Sequence, residues 1–534
     1  MKTSKRLLAL LLACICLFSL AACSKDGGDG EGSSGPGSNA GTNVGTDSGS
    51  ASGEVRDTLN VAIASDPGSM DPGVQGGSEF FSVINCVMET LYDIDENNET
   101  IWLLAESIDE DSPTQWTVHL RKDVKFSNGN PFTADDVLFT LQHIKNSFGT
   151  IRTQSIDIDN CKVVDDHTFE MHFTEYNIQS RINFTELYIY DAESYDADSF
   201  GMNPIGTGPY VLKDYVLNSQ VSLERRDDYW GETPAIKYIN FKVLGETSQI
   251  TNALETGMVD VGDVAATDLE YVSGMSEYTL QEYTDSQWLT VSFNPLENSP
   301  FSNVDARYAV AHLIDKQAIV DLVYGGNSDI MYGPVVKTAF DYHESFDNAH
   351  DTYTVGYDLE LAKQYAESAG LAGSEISIIT NGSAPHVTVA EMLKNRLSEI
   401  GVTATINNYD AATFIEVLVA APEYDIVIQD YFVPNMYAAG SYTNGILFTP
   451  AYNVPGSWEG VDRYLEICTQ SIYSPDEQVR FDVFTEMMDI FNDACIIYSV
   501  CELVNHRAFS AELEGPFVFR SSWGMRFADF KFAS

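Results

Sequence analysis

Basic residues are scarce in this 534-residue chain: 29 lysines and arginines stand against 79 aspartates and glutamates, a formal charge of −50. A field of that sign repels nucleic acid and anionic head groups, so neither is an expected partner. Usable cysteine is scarce too. Of eight, Cys14 and Cys16 lie in an N-terminal apolar run and Cys23 directly follows it, leaving Cys86, Cys161, Cys468, Cys495 and Cys501. Five at irregular spacing, with no CxxC, make a poor disulfide framework and a poor zinc site. Cys86 reads as a buried small hydrophobe, and Cys495 and Cys501 either pair across a turn or both sit in the core. No apolar run after residue 22 is long enough to span a bilayer. HExxH, Walker A and GxSxG motifs are all missing, which removes the common hydrolase and nucleotide-binding readings. His343-Glu344 with His350 has the wrong spacing for two ligands on one helical face. Asp93 to Leu104 begins like an EF-hand loop but carries Asn98 at its sixth position and Leu104 at its twelfth. Gly30 to Gly35 matches GxGxxG without a strand before it or a helix after. No catalysis, cofactor or metal is expected.

What is present begins with Lys2, Lys5 and Arg6, an apolar or small-residue run from Leu7 to Ala22, and Cys23 after Leu20-Ala21-Ala22. As a helix the run spans about 24 Å, short of a hydrocarbon core of about 30 Å, so it reads as a signal peptide. The pattern resembles bacterial lipoproteins, which implies cleavage after residue 22 and acylation of Cys23, with palmitate-type chains anchoring the protein to the membrane; an ordinary secretory signal is the alternative. Residues 24–54 are almost all Gly, Ser, Asn, Thr, Asp and Ala and cannot bury enough surface to fold. As a coil this tether reaches about 30 Å.

The remaining 480 residues exceed what one core accommodates, so at least two lobes are expected. Thr58 to Ile63 reads as a strand, Phe80 to Leu91 as a helix, and Trp116, Val118 and Leu120 as the buried face of another strand. Thr133 to Asp136 has the form of a capping box opening a helix, and residues 161–173 read as a hairpin. Farther on, Asp305 begins a helix ending near Ile314. Asp315 caps a second that stops at Gly325-Gly326, and Asp358 opens a third that stops at Gly370. Glu375 to Thr380 is a strand, a helix runs from about Val387 to Ile400, and Val402 to Ile406 and Tyr424 to Gln429 are further strands. Helices between strands imply mainly parallel sheets, hence an α/β fold.

Several motifs stand in a fixed order. They are Asp66-Pro67 with Ser69-Met70-Asp71-Pro72, then Glu89-Thr90-Leu91-Tyr92, Leu104-Ala105-Glu106-Ser107, and residues 120–126 with Asn128-Gly129. Residues 132–137, Gly206-Thr207-Gly208-Pro209-Tyr210, Asp228-Tyr229-Trp230, Phe293-Asn294 with Pro300-Phe301, and Ile314-Asp315-Lys316 follow. This series resembles the extracellular solute-binding proteins of the oligopeptide, dipeptide and nickel type, family 5, over about 59–515. The resemblance implies a two-lobed periplasmic-binding-protein-like clamshell in three segments (type II, large peptide-binder subclass). Residues 57–92, 205–304 and 496–534 would form domain I, 93–204 an inserted smaller domain, and 305–495 the second lobe. It also implies a monomer that captures a short peptide or similar solute outside the cell membrane and passes it to the transmembrane subunits of an ABC importer. A nickel or other metal chelate, or an oligosaccharide, is the alternative ligand; an envelope hydrolase or adhesin is the reading from another class.

The resemblance carries a few residues over. Peptide-binding relatives pair an aspartate after a late strand with the ligand's α-amino group, which here implies Asp430 with Tyr431, followed by Phe432, Val433 and Pro434. A charged amine entering a desolvated cleft requires a fixed anion, whereas a loop carboxylate in water is the alternative. Peptide binders often carry Trp three residues earlier, where this chain has Val427. Gly76, Gly77 and Ser78 correspond to a segment bordering the ligand, though a surface turn uses the same residues. Trp288 either stacks on the solute or belongs to the core.

Overall fold

The structure, a computed structural model, describes residues 56–74, 76–95, 98–346, 356–420, 423–432, 437–445, 450–515 and 525–533. The signal run, Cys23, the tether, His350 and Val433-Pro434 lie outside them. Among the described residues no helix is long and apolar enough to cross a membrane.

In chain order the strands are β1 (Thr58–Ile63), β2 (Tyr92–Ile94), β3 (Thr100–Trp102), β4 (Ala105–Ser112), β5 (Gln115–Leu120), β6 (Lys162–Asp165) and β7 (Thr168–His172). Then come β8 (Tyr210–Val216), β9 (Gln220–Arg225), β10 (Tyr238–Val243), β11 (Val261–Val264), β12 (Tyr278–Phe293) and β13 (Ser328–Ile330). The last are β14 (Glu375–Thr380), β15 (Thr403–Asn408), β16 (Ile426–Phe432), β17 (Ile497–Ser510), β18 (Leu513–Glu514) and β19 (Lys531–Phe532). The main sheet runs β15-β14-β16-β12-β17-β11-β1-β10-β9-β8, with β13 on β17, and β4 to β7 form a separate antiparallel sheet in the order β4-β5-β7-β6.

The expectation of mainly parallel sheets is overturned. β1 runs parallel to β10 and β11, and β14 to β15 and β16. Every other pair in the main sheet is antiparallel. The cause is the pair β12 and β17, which lie side by side at the centre although more than 200 residues separate them. They join through long excursions rather than a crossover helix, so nothing forces them parallel. Their ladder covers Tyr278 to Thr284 against Val504 to Ser510, shifts register, and resumes from Trp288 against Glu502. Ser286, inside the shift, is buried with φ +60°. Among the described residues these two strands carry the sheet from its β11 side to its β16 side, with the bulge between them.

The helix expected over 80–91 is Ser78–Ile84. It stops because the carbonyls of Cys86 and Val87 accept from Tyr210 N and Gly208 N, both at 3.0 Å, instead of from their own helix. Gly206 and Gly208 permit that approach: a Cβ on Gly206 would stand 2.1 Å from Val87 O, and one on Gly208 2.7 Å from Cys86 O. Local chemistry elsewhere is as read. Thr133 and Asp136 form the capping box of Ala134–Ile144, Asp315 Oδ1 accepts from Ala318 N at 3.0 Å, and Asp358 Oδ1 from Leu361 N at 2.9 Å. The cap of Val304–Ala311 is Asn303, not Asp305. All five described cysteines are free and buried, so Cys495 and Cys501 do not pair.

Side chains alternate across a strand. Leu289, Val291, Ile426, Ile428, Tyr498 and Val500 therefore face one core, under Val304–Ala311, Leu359–Ala369 and Ala384–Ser398. Trp288 faces the opposite core with Tyr442, Met487 and Phe491, and Tyr431 packs against it. A larger core joins the β1 side of the main sheet to the β4–β7 sheet.

Candidate functional site

β16 is the last strand before an undescribed segment, and its two edges differ. Along β12 it pairs from Ile426 to Phe432. Along β14 it pairs only at Ile426 and Val427, because β14 ends at Thr380. From Ile428 to Phe432 one edge of β16 therefore has no strand beside it among the described residues.

Asp430 stands on this stretch. Its parity with Ile426 and Ile428 turns it toward the helix that follows β14. That helix starts where Thr380 Oγ1 accepts from Gly382 N at 3.0 Å, Gly382 turns with φ +75°, and Pro385 sits in the first turn of Ala384–Ser398. His386, also in that turn and 2% exposed, places Nε2 3.0 Å from Asp430 Oδ1 and Nδ1 2.7 Å from Asn381 Oδ1. The carboxylate is about one quarter exposed. Its Oδ1 is buried and the ring does not aim an N–H at it, so it has no hydrogen-bond donor among the described residues. Its charge is felt nearby. Burial first and Asp430 second push the Tyr324 phenol above its ordinary range, and the same two causes push the Cys501 thiol up to about 12.

Tyr431 and Trp288 do not join this group. They are cross-strand partners on the other face of the sheet, ring centroids 5.8 Å apart, and Trp288 is 1% exposed. Trp288 is thus a core residue, although its Nε1 is buried with no acceptor among the described residues. The glycines stand apart from both. Gly77 holds φ +111° ahead of Ser78, the first residue of Ser78–Ile84, and a Cβ on Gly77 would meet nothing within 4 Å. Gly77 is therefore required for its backbone angle, and no hydrogen bond among the described residues joins Gly76 or Gly77 to Asp430.

Residues between 98 and 179 touch residues between 437 and 480. Ile178 N donates to Ile472 O at 3.0 Å, Asn98 Nδ2 to the Tyr437 hydroxyl at 3.2 Å, and Arg480 lies over the Tyr176 ring at 5.4 Å. Gly440 faces the Gln179 side chain with no room for a Cβ. Tyr437 opens the segment that returns after β16, and Asp341 fixes it by accepting from Ala438 N and Ala439 N at 2.7 and 2.8 Å. Burial holds the Asp341 carboxyl up, at about 6, against those bonds.

Beneath Cys501 lies Lys316, buried, with Nζ 2.6 Å from Met331 O and 4.4 Å from the Tyr498 ring centroid. Burial pulls its ammonium down to about 7. Between that value and an unfolded value near 10.4 the unfolded chain holds a proton the folded chain lacks, so stability rises with pH across this window. Wild type should gain roughly 2–3 kcal/mol more than Lys316→Met between pH 7 and pH 10 in urea denaturation. Parallel curves would remove Lys316 as the source.

His343 packs against Phe346 and Phe481, and no group of three potential metal ligands occurs among the described residues. The sequence reading missed His386, because it began the helix at about Val387, three residues after its start at Ala384. Asn381-Gly382-Ser383 followed by Pro385 is a helix-start pattern that would have placed His386 in a first turn.

The model of the bacterial extracellular solute-binding proteins, family 5, matches residues 99–452. The oligopeptide-binding protein OppA of Bacillus subtilis is 23% identical over 92% of this chain and 92% of its own length. Among solved structures, the ABC transporter substrate-binding protein CtaP of Listeria monocytogenes superposes with a TM-score of 0.79 at 19% identity. That match covers 90% of this chain and 100% of CtaP. The oligopeptide-binding protein AppA of Bacillus subtilis, in complex with a nonapeptide, does so at 0.72 and 18%, covering 90% and 100%. These likenesses identify the two-lobed α/β clamshell.

Proposed function

The chain belongs to the bacterial extracellular solute-binding proteins of family 5, and from that premise we propose that it captures short peptides by their free amino terminus and delivers them unchanged to an ABC permease. The observation that carries this reading is Asp430: a carboxylate with one oxygen lacking a hydrogen-bond donor, beside a strand edge with no neighbouring strand, among the described residues. A peptide laid along that edge would find backbone donors and acceptors for its own backbone and an anion for its ammonium group. The oligopeptide-binding relative and the nonapeptide held by AppA support the same solute class.

In this reading residues 57–92, 205–304 and 496–534 form one lobe, carrying the 93–204 insert, and residues 305–495 form the other. The peptide closes them about the β12–β17 bulge, with Gly76 to Ser78 bordering it from the far side. Closure shifts the population toward the form the permease engages. Cys23, acylated, anchors the mature chain outside the cell membrane through the 24–54 tether. Native mass spectrometry of the protein purified from its host tests both halves of the proposal. A chain beginning at Cys23 with a diacylglyceryl mass, carrying peptides of a few residues, is expected. A chelated metal or a sugar in the cleft would overturn the peptide reading, and an unmodified Cys23 would overturn the anchor.

A further inference from the structure

In so acidic a chain most described arginines stand within ion-pair distance of a carboxylate. Among the described residues Arg181, Arg225 and Arg480 do not, and Arg181 and Arg480 line one cavity of about 150 Å³. They reach it from opposite sides. Arg181 lies in the short helix Ser180–Asn183, where its carbonyl accepts from the Tyr92 hydroxyl at 2.8 Å and its Nη2 donates to Thr100 Oγ1 at 3.3 Å. Arg480 lies near the start of Glu477–Ala494, with Nη1 donating to Ser474 O at 2.8 Å and the guanidinium over the Tyr176 ring. The bond from Ile178 N to Ile472 O joins the two sides close by.

A guanidinium is a fork of several N–H donors, and among the described residues each of these spends only one nitrogen on a hydrogen bond. Both charges reach the same two phenols. Burial pushes Tyr176 and Tyr437 up, while Arg480 and Arg181 pull each of them back. The one carboxylate on the cavity wall is Glu110, exposed on β4 and in no described ion pair. Two guanidiniums against one carboxylate leave an excess of positive charge in a half-buried space, where like charges repel more than in water.

We propose that this cavity is an anion site, in which one carboxylate or phosphate group bridges Arg181 and Arg480 and so ties residues 98–181 to the helix Glu477–Ala494. Such a group relieves the repulsion and accepts charge-assisted hydrogen bonds from both forks. The cavity is well below the roughly 300–1,000 Å³ that encloses a drug-sized ligand, so it admits the end of a molecule or a small free anion, not a whole peptide. The anion is either a carboxylate of the captured peptide or a solute bound in its own right. Asp430 takes no part, so failure of this site leaves the amine reading untouched; only the peptide arm of the test presupposes the proposed function.

The test uses the full chain with sodium phosphate and sodium acetate, each against sodium chloride at equal ionic strength, which cancels general screening. In wild type both should raise the thermal midpoint above its value in chloride. Arg181→Gln and Arg480→Gln should each remove most of that rise and weaken phosphate binding in calorimetry by ~10-fold or more, and the double variant should lose little beyond either single one. Glu110→Gln leaves both arginines in place and should strengthen phosphate binding by ~2- to 5-fold, which keeps the test decisive if an arginine variant folds poorly. A synthetic library of short peptides ending in carboxylate or in amide separates the sources. Amides retained ~10-fold less by wild type, but no less by the arginine variants, would assign the anion to the peptide. Equal retention, with phosphate binding unchanged by peptide, would assign it to a free solute. Phosphate and acetate acting no differently from chloride in both wild type and Glu110→Gln would overturn the proposal, as would a rise that survives in the double arginine variant.

Discussion

Asp430→Asn should weaken capture of free-amine peptides by ~30- to 4,000-fold and leave N-acetylated peptides, which lack the charge, nearly unaffected. The range follows from the 2–5 kcal/mol typically lost when one partner of a hydrogen-bonded, desolvated charge pair is removed, at 1.4 kcal/mol per decade of affinity. Asparagine preserves the volume beside His386 and Tyr324, so the fold has no reason to respond. Two effects oppose each other in wild type. The carboxylate attracts the ligand cation, but the cation and the quarter-exposed carboxylate must shed water to meet. The ammonium wins because Asp430 Oδ1 has no aligned donor before it arrives. Calorimetric titration with both peptide pools measures the difference. Comparable losses for both pools would show that Asp430 supports the site without contacting the amine, and no loss for either would remove it from the site.

The readable parts of this protein are those decided within a few residues. β1 and β14 have the bounds the alternation of Thr58 to Ile63 and Glu375 to Thr380 implies. The helices capped by Thr133, Asp315 and Asp358 begin where a side-chain oxygen can meet a backbone N–H three residues on. What the sequence conceals is pairing at a distance. Residues 278–293 contain Asp285-Ser286, which locally marks a turn, yet the chain runs through it as one long strand because β17 pairs on both sides of the bulge. Residues 80–91 carry apolar side chains suited to a helix. Their second half instead gives its carbonyls to residues 208–210, a partner more than 100 residues away.

The site divides in the same manner. Asp430 was legible only through family resemblance, since nothing in a chain with 79 acidic residues singles out one of them. The neighbouring Tyr431 was grouped with it by adjacency, but the period of two sends it to the opposite face with Trp288. His386 is 44 residues from Asp430 in sequence, and only the parallel pairing of β14 with β16 brings the helix after β14 to the end of β16.

The end of the long helix Glu477–Ala494 must deliver the chain into β17 at a defined angle, and one guanidinium governs that delivery. Arg307 is fully buried. Its Nε donates to Ala494 O at 2.6 Å, its Nη1 to Phe301 O at 2.6 Å and Ser302 O at 3.3 Å, and its Nη2 pairs with Glu459. Ala494 is followed by Cys495 in a left-handed conformation, φ +48°, and then by β17. Glu459 is half exposed, so its ion pair with Arg307 contributes little. The three carbonyls have no water to fall back on. Arg307→Met fills the volume but strands them, and should cost about 3–5 kcal/mol in guanidinium or urea denaturation. Arg307→Lys should fall between, because a single ammonium cannot reach carbonyls on two sides of the helix as the planar fork does. Glu459→Gln should change stability by less than about 1 kcal/mol. If Glu459→Gln proved as damaging as Arg307→Met, the charge pair rather than the carbonyl cluster would be what holds the entrance to β17. That entrance would then rest on an exposed contact that salt could weaken.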